Sequence, residues 1–227
     1  MCSGPHANTR ATRDSAPRLL PGLAPLAGDY DGFICDLWGV IHNGFAPYPG
    51  VVACLERLRD LNKHVVLLSN APRRAAPIAR QMTGMGLDPA LYDHVHSSGE
   101  HVHGELASRQ DPWIAGLGCA CLHIGPERDS SIFEGLDLDL VADVAAADFV
   151  LNTGPWADDE TVADYERPLE AARARSLPMI CANPDREVIR GAHRIVCAGA
   201  LAARYEELGG EVRYFGKPYP DVYRRCF

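Results

Sequence analysis

Short runs of apolar residues alternate along this chain with longer stretches of helical spacing. Residues 30–36 and 64–69 hold contiguous apolar runs, the pattern of a strand that is buried on both faces. Between them, residues 51–61 place their apolar side chains along one face of a helix. This alternation predicts an α/β protein with a parallel sheet, in which right-handed helical crossovers join the strands.

A second series of strands and helices begins at about residue 104. Its segments are, in chain order, 119–124, 148–152, 160–175, 178–182, 199–208 and 211–215. The third and the fifth segment have helical spacing, and the other four have the pattern of strands. Pro168 predicts that the helix of residues 160–175 is interrupted or restarts.

The charge balance excludes several classes of partner. The chain has 227 residues, with 30 acidic side chains against 22 Lys and Arg, a net charge of −8 and no basic block. A protein that binds nucleic acid or an anionic membrane needs a surface that neutralises phosphates. No apolar run approaches the roughly 20 residues of a membrane-spanning helix. We therefore expect neither nucleic acid nor a membrane as a partner.

The eight cysteines form no CxxC pair, and several of them lie inside apolar runs. Buried, reduced thiols in a reducing compartment explain this pattern better than disulfides do, so we expect a cytoplasmic protein. Residues 1–18 are acid-poor and lack the apolar core of a secretory signal. We interpret them as a disordered tail, and an organelle transit peptide is the alternative.

Three of the predicted strands end in, or lead into, a polar side chain: Asp36, Ser69 and Lys217. Ligands of open parallel sheets lie outside the carboxyl ends of the strands, so these side chains would meet in one crevice if the strands are neighbours. A carboxylate, a hydroxyl and an ammonium suit phosphoryl transfer to the carboxylate. Attack of an anion on a phosphate dianion requires charge neutralisation, for which Mg²⁺ is the usual ion.

Each of these residues also has a plain structural interpretation. Asp36 fits a helix cap or a turn, Ser69 fits a helix N-cap, and Lys217 fits a solvated loop. The order of the three along the chain and the residues that surround them favour the functional interpretation.

The surrounding residues resemble the motifs of one enzyme family. Residues 36–44 (DLWGVIHNG) resemble the first motif of haloacid dehalogenase superfamily phosphatases of subclass IIA. Residues 68–73 (LSNAPR) resemble the second motif, and residues 216–218 (GKP) resemble the third. Residues 181–185 (CANPD) are similar to the substrate-facing loop of that subclass's cap domain. The similarity keeps the motif order from about Leu19 to the C-terminus.

The resemblance implies a Rossmann-like core with an α/β cap inserted between the second and third motifs. It gives a tail at 1–18, a first core segment at 19–103, a cap at 104–210 and a second core segment at 211–227. Relatives of this subclass often pair through their caps, so a homodimer through the cap is one expected arrangement.

The resemblance also implies roles for individual residues. Asp36 would be the nucleophile and a Mg²⁺ ligand, and the backbone carbonyl of Trp38 would be a second ligand. Ser69 would bind an oxygen of the phosphoryl group, and Lys217 would stabilise the charge on the nucleophile and the phosphate.

Three further residues are implied to bind the substrate. Asn70 would lie near the phosphoryl group, and Asn183 and Asp185 in the cap would contact the leaving group.

One departure from the family pattern concerns the general acid. Most family phosphatases have an Asp two residues after the nucleophile, but this chain has Trp38 there, and an indole cannot exchange a proton near neutral pH. Loss of a positioned acid or base typically costs about 10²–10⁴ in rate. The nearby His42 is a candidate substitute, and a loop histidine without a catalytic role is the alternative.

A second departure is the fourth motif, an acidic pair that would supply further metal ligands beyond Lys217. The 227 residues do not contain it, so we expect either a truncated chain, with the incomplete core lacking that strand, or a protein without the metal site. In both cases the 227-residue chain would have weak activity or none.

These observations predict a Mg²⁺-dependent phosphatase of small phosphorylated metabolites that acts through an aspartyl phosphate. The alternative is an impaired or inactive relative that binds a phosphorylated ligand. A dinucleotide-dependent oxidoreductase is disfavoured, because Cys121 occupies the third glycine position of the GxGxxG that begins at Gly116. A metal-binding module built on His94, His96, His101 and His103 is a further alternative, which their spread over a strand end and a helix start disfavours.

Overall fold

Two parallel sheets organise the protein. The computed structural model describes residues 19–191 and 193–227, so the tail expected at 1–18 lies outside the described residues. Within them, one sheet has three strands, the other has five, and a two-stranded hairpin accompanies them. Parallel strands joined by helices are the fold class that the sequence predicts.

The first sheet contains the strands expected to end at Asp36 and Ser69. Its elements are, in chain order, β1 (Gly32–Asp36), α1 (Val51–Asp60), β2 (His64–Ser69), α2 (Ala75–Gly84), β3 (His94–Ser97) and α3 (Ser98–Ser108). The strand order is β1-β2-β3, all parallel. Asp36 lies opposite Leu68 in the register, so the carboxyl ends of β1 and β2 lie side by side.

The core of this first domain lies between the sheet and its helices. Leu55 and Leu58 of α1 and Ile78 and Met82 of α2 pack with the inward side chains of β2 in one buried cluster. Full burial of such a side chain contributes roughly 1.5–3 kcal/mol. This packing makes the sheet a rigid platform for the loops at its carboxyl edge.

The second domain is built on the five-stranded sheet. Its elements are α4 (Pro112–Ala115), β4 (Ala120–Ile124), β5 (Asp139–Val141), β6 (Phe149–Asn152), α5 (Glu166–Ala174), β7 (Met179–Cys181), β8 (Glu187–Arg190), β9 (His193–Val196), α6 (Ala198–Glu207) and β10 (Val212–Tyr214). Helix α7 (Pro220–Arg224) follows, and Arg225 after it pairs with Glu105 of α3 in the first domain. The sheet order is β10-β7-β6-β4-β5, all parallel, and β8 and β9 form the antiparallel hairpin. Five 3₁₀ helices lie in the described residues: Ala24–Leu26, Pro89–Leu91, Glu127–Phe133, Val144–Ala146 and Val162–Tyr165.

The strand before Lys217 belongs to the second sheet, whereas the sequence placed residues 211–227 in the core domain. Val212 of β10 lies opposite Met179 of β7, and the Phe215 N–H donates to the Cys181 carbonyl at 3.0 Å. Phe215 is buried beside Phe149 of β6. Strand β10 therefore packs with the sheet of the second domain, and the domain boundary expected at 210/211 stays a prediction.

Other local expectations can be compared with the structure. The helix expected over 160–175 begins as the 3₁₀ helix Val162–Tyr165 and continues as α5, with Pro168 in its first turn, so the predicted interruption is confirmed. None of the helices in the described ranges is long and apolar enough to cross a membrane. The cysteines in these ranges are free thiols, and burial raises the pKa of Cys121, Cys181 and Cys197 to about 12.

Candidate active site

A cavity of about 750 Å³ lies at the carboxyl ends of β1 and β2 and is closed on its other side by the second domain. Asp36, Ser69 and Lys217 all line it, so the predicted convergence of these three side chains is confirmed. Asp36 is the last residue of β1, Ser69 is the last of β2, and Lys217 lies three residues after β10. The two sheets thus bring together a carboxylate, a hydroxyl and an ammonium.

The Asp36 carboxylate is held by two donors on the same oxygen. The Lys217 Nζ forms an ion pair with Oδ1, and the Leu37 N–H donates to Oδ1 at 2.9 Å. Lys217 Nζ also lies 3.5 Å from the Leu68 carbonyl. The helix-cap interpretation of Asp36 is wrong, because the next α-helix begins only at Val51.

Ser69 does not cap a helix either. Helix α2 begins at Ala75 with Arg74 at its N-cap, whereas the Ser69 Oγ accepts a hydrogen bond from the Ala71 N–H at 3.1 Å. The hydroxyl proton of Ser69 therefore remains available to a ligand in the cavity.

Asn70 connects the two domains. Its Nδ2 donates to Asp185 Oδ1 at 2.9 Å and to the Lys217 carbonyl at 3.1 Å. Its Oδ1 accepts from the Lys217 N–H at 2.7 Å. Both residues implied to read the leaving group, Asn183 and Asp185, line the cavity, and Asn183 Oδ1 accepts from the Asp185 N–H at 3.0 Å. Asp185 is thus already bound by Asn70, which gives it a part in holding the domains together.

Trp38 lies between the nucleophile loop and the hairpin of the second domain. Its Nε1–H donates to the Ile189 carbonyl at 3.2 Å, and the Arg190 guanidinium lies 5.8 Å from the ring centroid. Gly44 (φ 93°) lies directly against the ring, where a Cβ would come within 2.5 Å of it. The indole occupies the position of the family's second Asp and serves packing between domains.

The donor set near Asp36 fits a hard divalent cation that takes few protein ligands. Asp36 offers a carboxylate, and no donor of the described residues contacts the Trp38 carbonyl oxygen. In the same ranges no group of three or more His, Cys, Asp or Glu is placed to hold a metal. Mg²⁺ is commonly bound by one or two carboxylates together with water and substrate phosphate, which is the situation that these residues provide.

His42 is placed as a structural residue of the loop. It is 6% exposed, does not line the cavity, and its Nδ1 accepts from the Gly44 N–H at 3.0 Å. Burial, and then the charge of Arg73, lower the pKa of His42, so the imidazole is neutral near pH 7. The structure favours the loop interpretation over the general acid.

Several cavity residues escaped the sequence analysis. Asp129, in the 3₁₀ helix after β4, is 4% exposed, and burial raises its pKa to about 6 although Arg128 and Arg73 oppose the shift. Arg73 Nε lies 4.0 Å from Asp129 Oδ1. Asp36 is the last residue of β1, whereas Asp129 lies five residues after the end of β4, so its place along the chain gives no comparable signal. No quoted family motif contains Asp129.

A second group of cavity residues forms an ion-pair bridge. Asp158 accepts from Arg128 at 3.0 Å and from Arg190 at 2.5 Å. Arg190 belongs to β8, so the bridge ties the hairpin to the rest of the second domain.

The histidines of the metal-module alternative do not converge. His103 contacts Arg74 Nη1 and the Ile132 carbonyl, each at 3.0 Å, away from the others. His96 and His101 lie with ring centroids 5.8 Å apart, and His96 Nε2 and His101 Nδ1 are buried without a hydrogen-bond partner. Burial lowers the pKa of both to about 4. His96 and His101 are therefore neutral, and they serve packing rather than metal binding.

Comparisons with known proteins place this chain in a family. A family model described as haloacid dehalogenase-like hydrolase matches residues 33–139. The chain is 38% identical to a hydrolase of the haloacid dehalogenase-like family from Brucella suis, with a TM-score of 0.84 over 92% of this chain and 74% of that one. Among curated proteins, none matches this chain.

Two more distant structures have the same fold. A 4-nitrophenylphosphatase from Thermotoga maritima is 24% identical, with a TM-score of 0.68 over 88% of this chain and 74% of that one. A glycerol phosphate phosphatase from Mycobacterium tuberculosis, in complex with calcium, is 21% identical, with a TM-score of 0.65 over 88% of this chain and 57% of that one.

Proposed function

Because this chain belongs to the haloacid dehalogenase-like hydrolase family, we propose that it is a Mg²⁺-dependent phosphatase of small phosphorylated metabolites that acts through a phosphorylated aspartate. The observation that carries the proposal is the ion pair of Asp36 and Lys217 in a cavity that Ser69 also lines.

Each residue of the site has a separate role in the proposed reaction. One carboxylate oxygen of Asp36 attacks phosphorus, a new P–O bond forms, and the bond to the leaving oxygen breaks with its electron pair on that oxygen. Ser69 donates a hydrogen bond to a phosphoryl oxygen, and the Lys217 ammonium offsets the negative charge that the phosphate brings next to the carboxylate. Water then attacks the aspartyl phosphate, which releases inorganic phosphate and restores Asp36.

Protonation of the leaving oxygen is the step of the reaction that this site supports least. Trp38 has no proton to exchange, so an alcohol must leave as its anion or take a proton from water. Leaving groups that are stable as anions, such as p-nitrophenolate, are therefore the best substrates for an assay.

Asp36 and the Trp38 carbonyl would hold Mg²⁺, with the other ligands coming from water and substrate. When bound, the ion supplies positive charge next to the attacking carboxylate and the phosphate.

The test is hydrolysis of p-nitrophenyl phosphate by the purified chain in the presence of Mg²⁺. We expect weak turnover that EDTA abolishes and that added Mg²⁺ restores, because the family's fourth motif is not among these 227 residues. Turnover that survives chelation would contradict the metal assignment. The variant Asp185→Asn keeps the shape of the side chain. Comparing its turnover with that of the wild-type protein separates the contribution of the second domain from that of the first.

A second candidate function is a relative that binds a phosphorylated ligand without hydrolysing it. The observation that favours it is Trp38 in the place of a general acid. Calorimetric binding of p-nitrophenyl phosphate without any release of p-nitrophenol would support this candidate over the phosphatase.

A further inference from the structure

Arg73 and Asp129 face each other across the cavity from different domains. Arg73 lies in the loop four residues after Ser69, and Asp129 lies in the 3₁₀ helix that follows β4. Their nearest charged atoms, Arg73 Nε and Asp129 Oδ1, are 4.0 Å apart, which is beyond hydrogen-bond length. The two groups attract each other but do not bond.

The surrounding contacts hold both side chains in place. Arg73 Nη2 donates to Gln81 Oε1 at 3.0 Å, which anchors the guanidinium on the first domain. On the other side, Asp129 is buried in the 3₁₀ helix after β4. Thr153, which also lines the cavity, has its Oγ1 2.9 Å from His123 Nε2. Gly125 makes room for this arrangement, because a Cβ there would come within 1.8 Å of Thr153 Oγ1. The bond to Gln81 and the burial of Asp129 restrict the movement of the two side chains.

We propose that Arg73 and Asp129 form a subsite for a hydroxyl group on the leaving group, so that the substrates are phosphate monoesters of polyols or sugars. This inference rests on the proposed phosphatase function. The hydroxyl accepts a hydrogen bond from Arg73 and donates one to Asp129. Two such bonds of about 2.8 Å that meet at one oxygen at about 90–110° place their outer atoms about 4.0–4.6 Å apart, which matches the observed separation.

Other ligand groups suit this pair less well. An amine would face the Arg73 guanidinium, and a carboxylate would face the Asp129 carboxylate, so each would meet a like charge. An apolar group would cover both without bonding either, which leaves buried polar groups unpaired. A hydroxyl is both donor and acceptor and satisfies the two at once.

The experiment compares kcat/KM for glycerol 3-phosphate and propyl phosphate, which differ in the hydroxyls of the leaving group. In the wild-type protein we expect the hydroxylated ester to be preferred by about tenfold or more, since a hydrogen-bonding site rejects a ligand that lacks the partner. In Asp129→Ala the preference should fall to within about twofold of unity, and in Asp129→Asn, which keeps one acceptor oxygen, it should be intermediate. Glu127→Gln, an exposed charge change in the same 3₁₀ helix, should keep the wild-type preference.

Two further measurements keep this inference separate from the phosphatase proposal. Hydrolysis of p-nitrophenyl phosphate reports on the phosphatase alone, because its leaving group has no hydroxyl for the subsite. Calorimetric binding of butylphosphonate and of 3,4-dihydroxybutylphosphonate, with the same variants, reports on the subsite even if nothing is hydrolysed. Equal affinity for the two phosphonates in wild type, or a preference that survives in a folded Asp129→Ala protein, would overturn the subsite.

Discussion

At the scale of single residues, Asp36 has one engaged oxygen and one open one. Oδ1 accepts from both Lys217 and the Leu37 N–H, whereas no donor in the described ranges contacts Oδ2. The side chain is therefore oriented from one side, and in the proposed mechanism the attack on phosphorus would come from Oδ2. The restraint comes from a strand end and from a lysine 181 residues away in the sequence.

We predict that Asp36→Asn abolishes phosphatase turnover and leaves the fold intact. An amide cannot form an acyl phosphate, and the change removes the ion pair with Lys217. Turnover of p-nitrophenyl phosphate is measured beside thermal unfolding. Residual activity above about one hundredth of wild type would point to another nucleophile.

We also predict that the protein loses stability as the pH falls below about 6.5. Burial lowers the folded-state pKa of His96, His101 and His123 to about 4, whereas an unfolded histidine titrates near 6.5. The stabilisation is complete above pH 6.5 and is lost as the pH falls towards 4. For His96 and His101 the loss is up to about 3 kcal/mol each.

Asp129 acts in the opposite direction. Its folded-state pKa is raised to about 6, so it favours the folded state more as the pH falls from 6 towards 4. One carboxyl does not offset three histidines. The urea midpoint is measured between pH 4.5 and 7.5, where His101→Leu should flatten the profile and the exposed His193→Gln should not. A midpoint that stays constant or rises towards pH 4.5 would contradict this prediction.

At the scale of secondary structure elements, the β8–β9 hairpin is held against the nucleophile loop by Trp38. The contacts are the hydrogen bond from Trp38 Nε1 to the Ile189 carbonyl and the Arg190 guanidinium over the ring. A hairpin of two short strands is marginal by itself, so such contacts decide its position.

We predict that Trp38→Phe loosens this hairpin. The phenyl ring keeps most of the packing but has no N–H for the Ile189 carbonyl, and the loss of one hydrogen bond costs about 1 kcal/mol. Amide hydrogen exchange over residues 187–196 should become faster.

Trp113→Phe is the matched control for the hairpin. The Trp113 Nε1 donates to Glu211 Oε1 at 2.6 Å, away from β8 and β9, so the same loss of an indole N–H should leave the exchange of residues 187–196 unchanged. Equal effects of the two changes would show that Trp38 has no specific part in placing the hairpin.

The predictability of elements followed the continuity of their apolar runs rather than their burial, since no residue of the edge strand β1 is fully buried. Strands β1 and β2 are recognisable because their runs of apolar residues are contiguous and end in the side chains of the site. The β8–β9 hairpin could not be recognised because each strand has only four residues and only two adjacent apolar side chains. Its placement also depends on Trp38, 151 residues from Ile189. The sheet to which β10 belongs is likewise decided by packing with β7, which no local pattern reports.

In the candidate site, too, residues with a local sequence pattern differ from residues whose pairing depends on packing. Asp36, Ser69 and Lys217 could be found because each follows a predicted strand and lies in a motif. The pairing of Arg73 with Asp129 could not, because it arises only where the two domains meet.

At the scale of the whole molecule, Asn70 holds the two domains together at the site. Its amide bonds Asp185 and both backbone groups of Lys217. The Gly216 backbone (φ 129°) passes so close that a Cβ there would lie 2.6 Å from Asn70 Oδ1. The loop that carries Lys217 therefore depends on this one side chain for its position.

We predict that Asn70→Asp separates the unfolding of the two domains. A carboxylate cannot donate to Asp185 or to the Lys217 carbonyl, and it places a second negative charge beside Asp185. Differential scanning calorimetry should show two transitions, or one broadened transition, in place of a sharper wild-type peak. Phosphatase kcat/KM should fall by about tenfold or more. Asn62→Asp, at an exposed asparagine after α1, is the control and should change neither property.

The attacking carboxylate lies on one sheet, and the ammonium that faces it is delivered by a strand of the other. In such a molecule the site is complete only after the two sheets have come together. In the proposed mechanism, a copy in which the two sheets have not met lacks the ammonium beside Asp36 and therefore does not turn over phosphate esters.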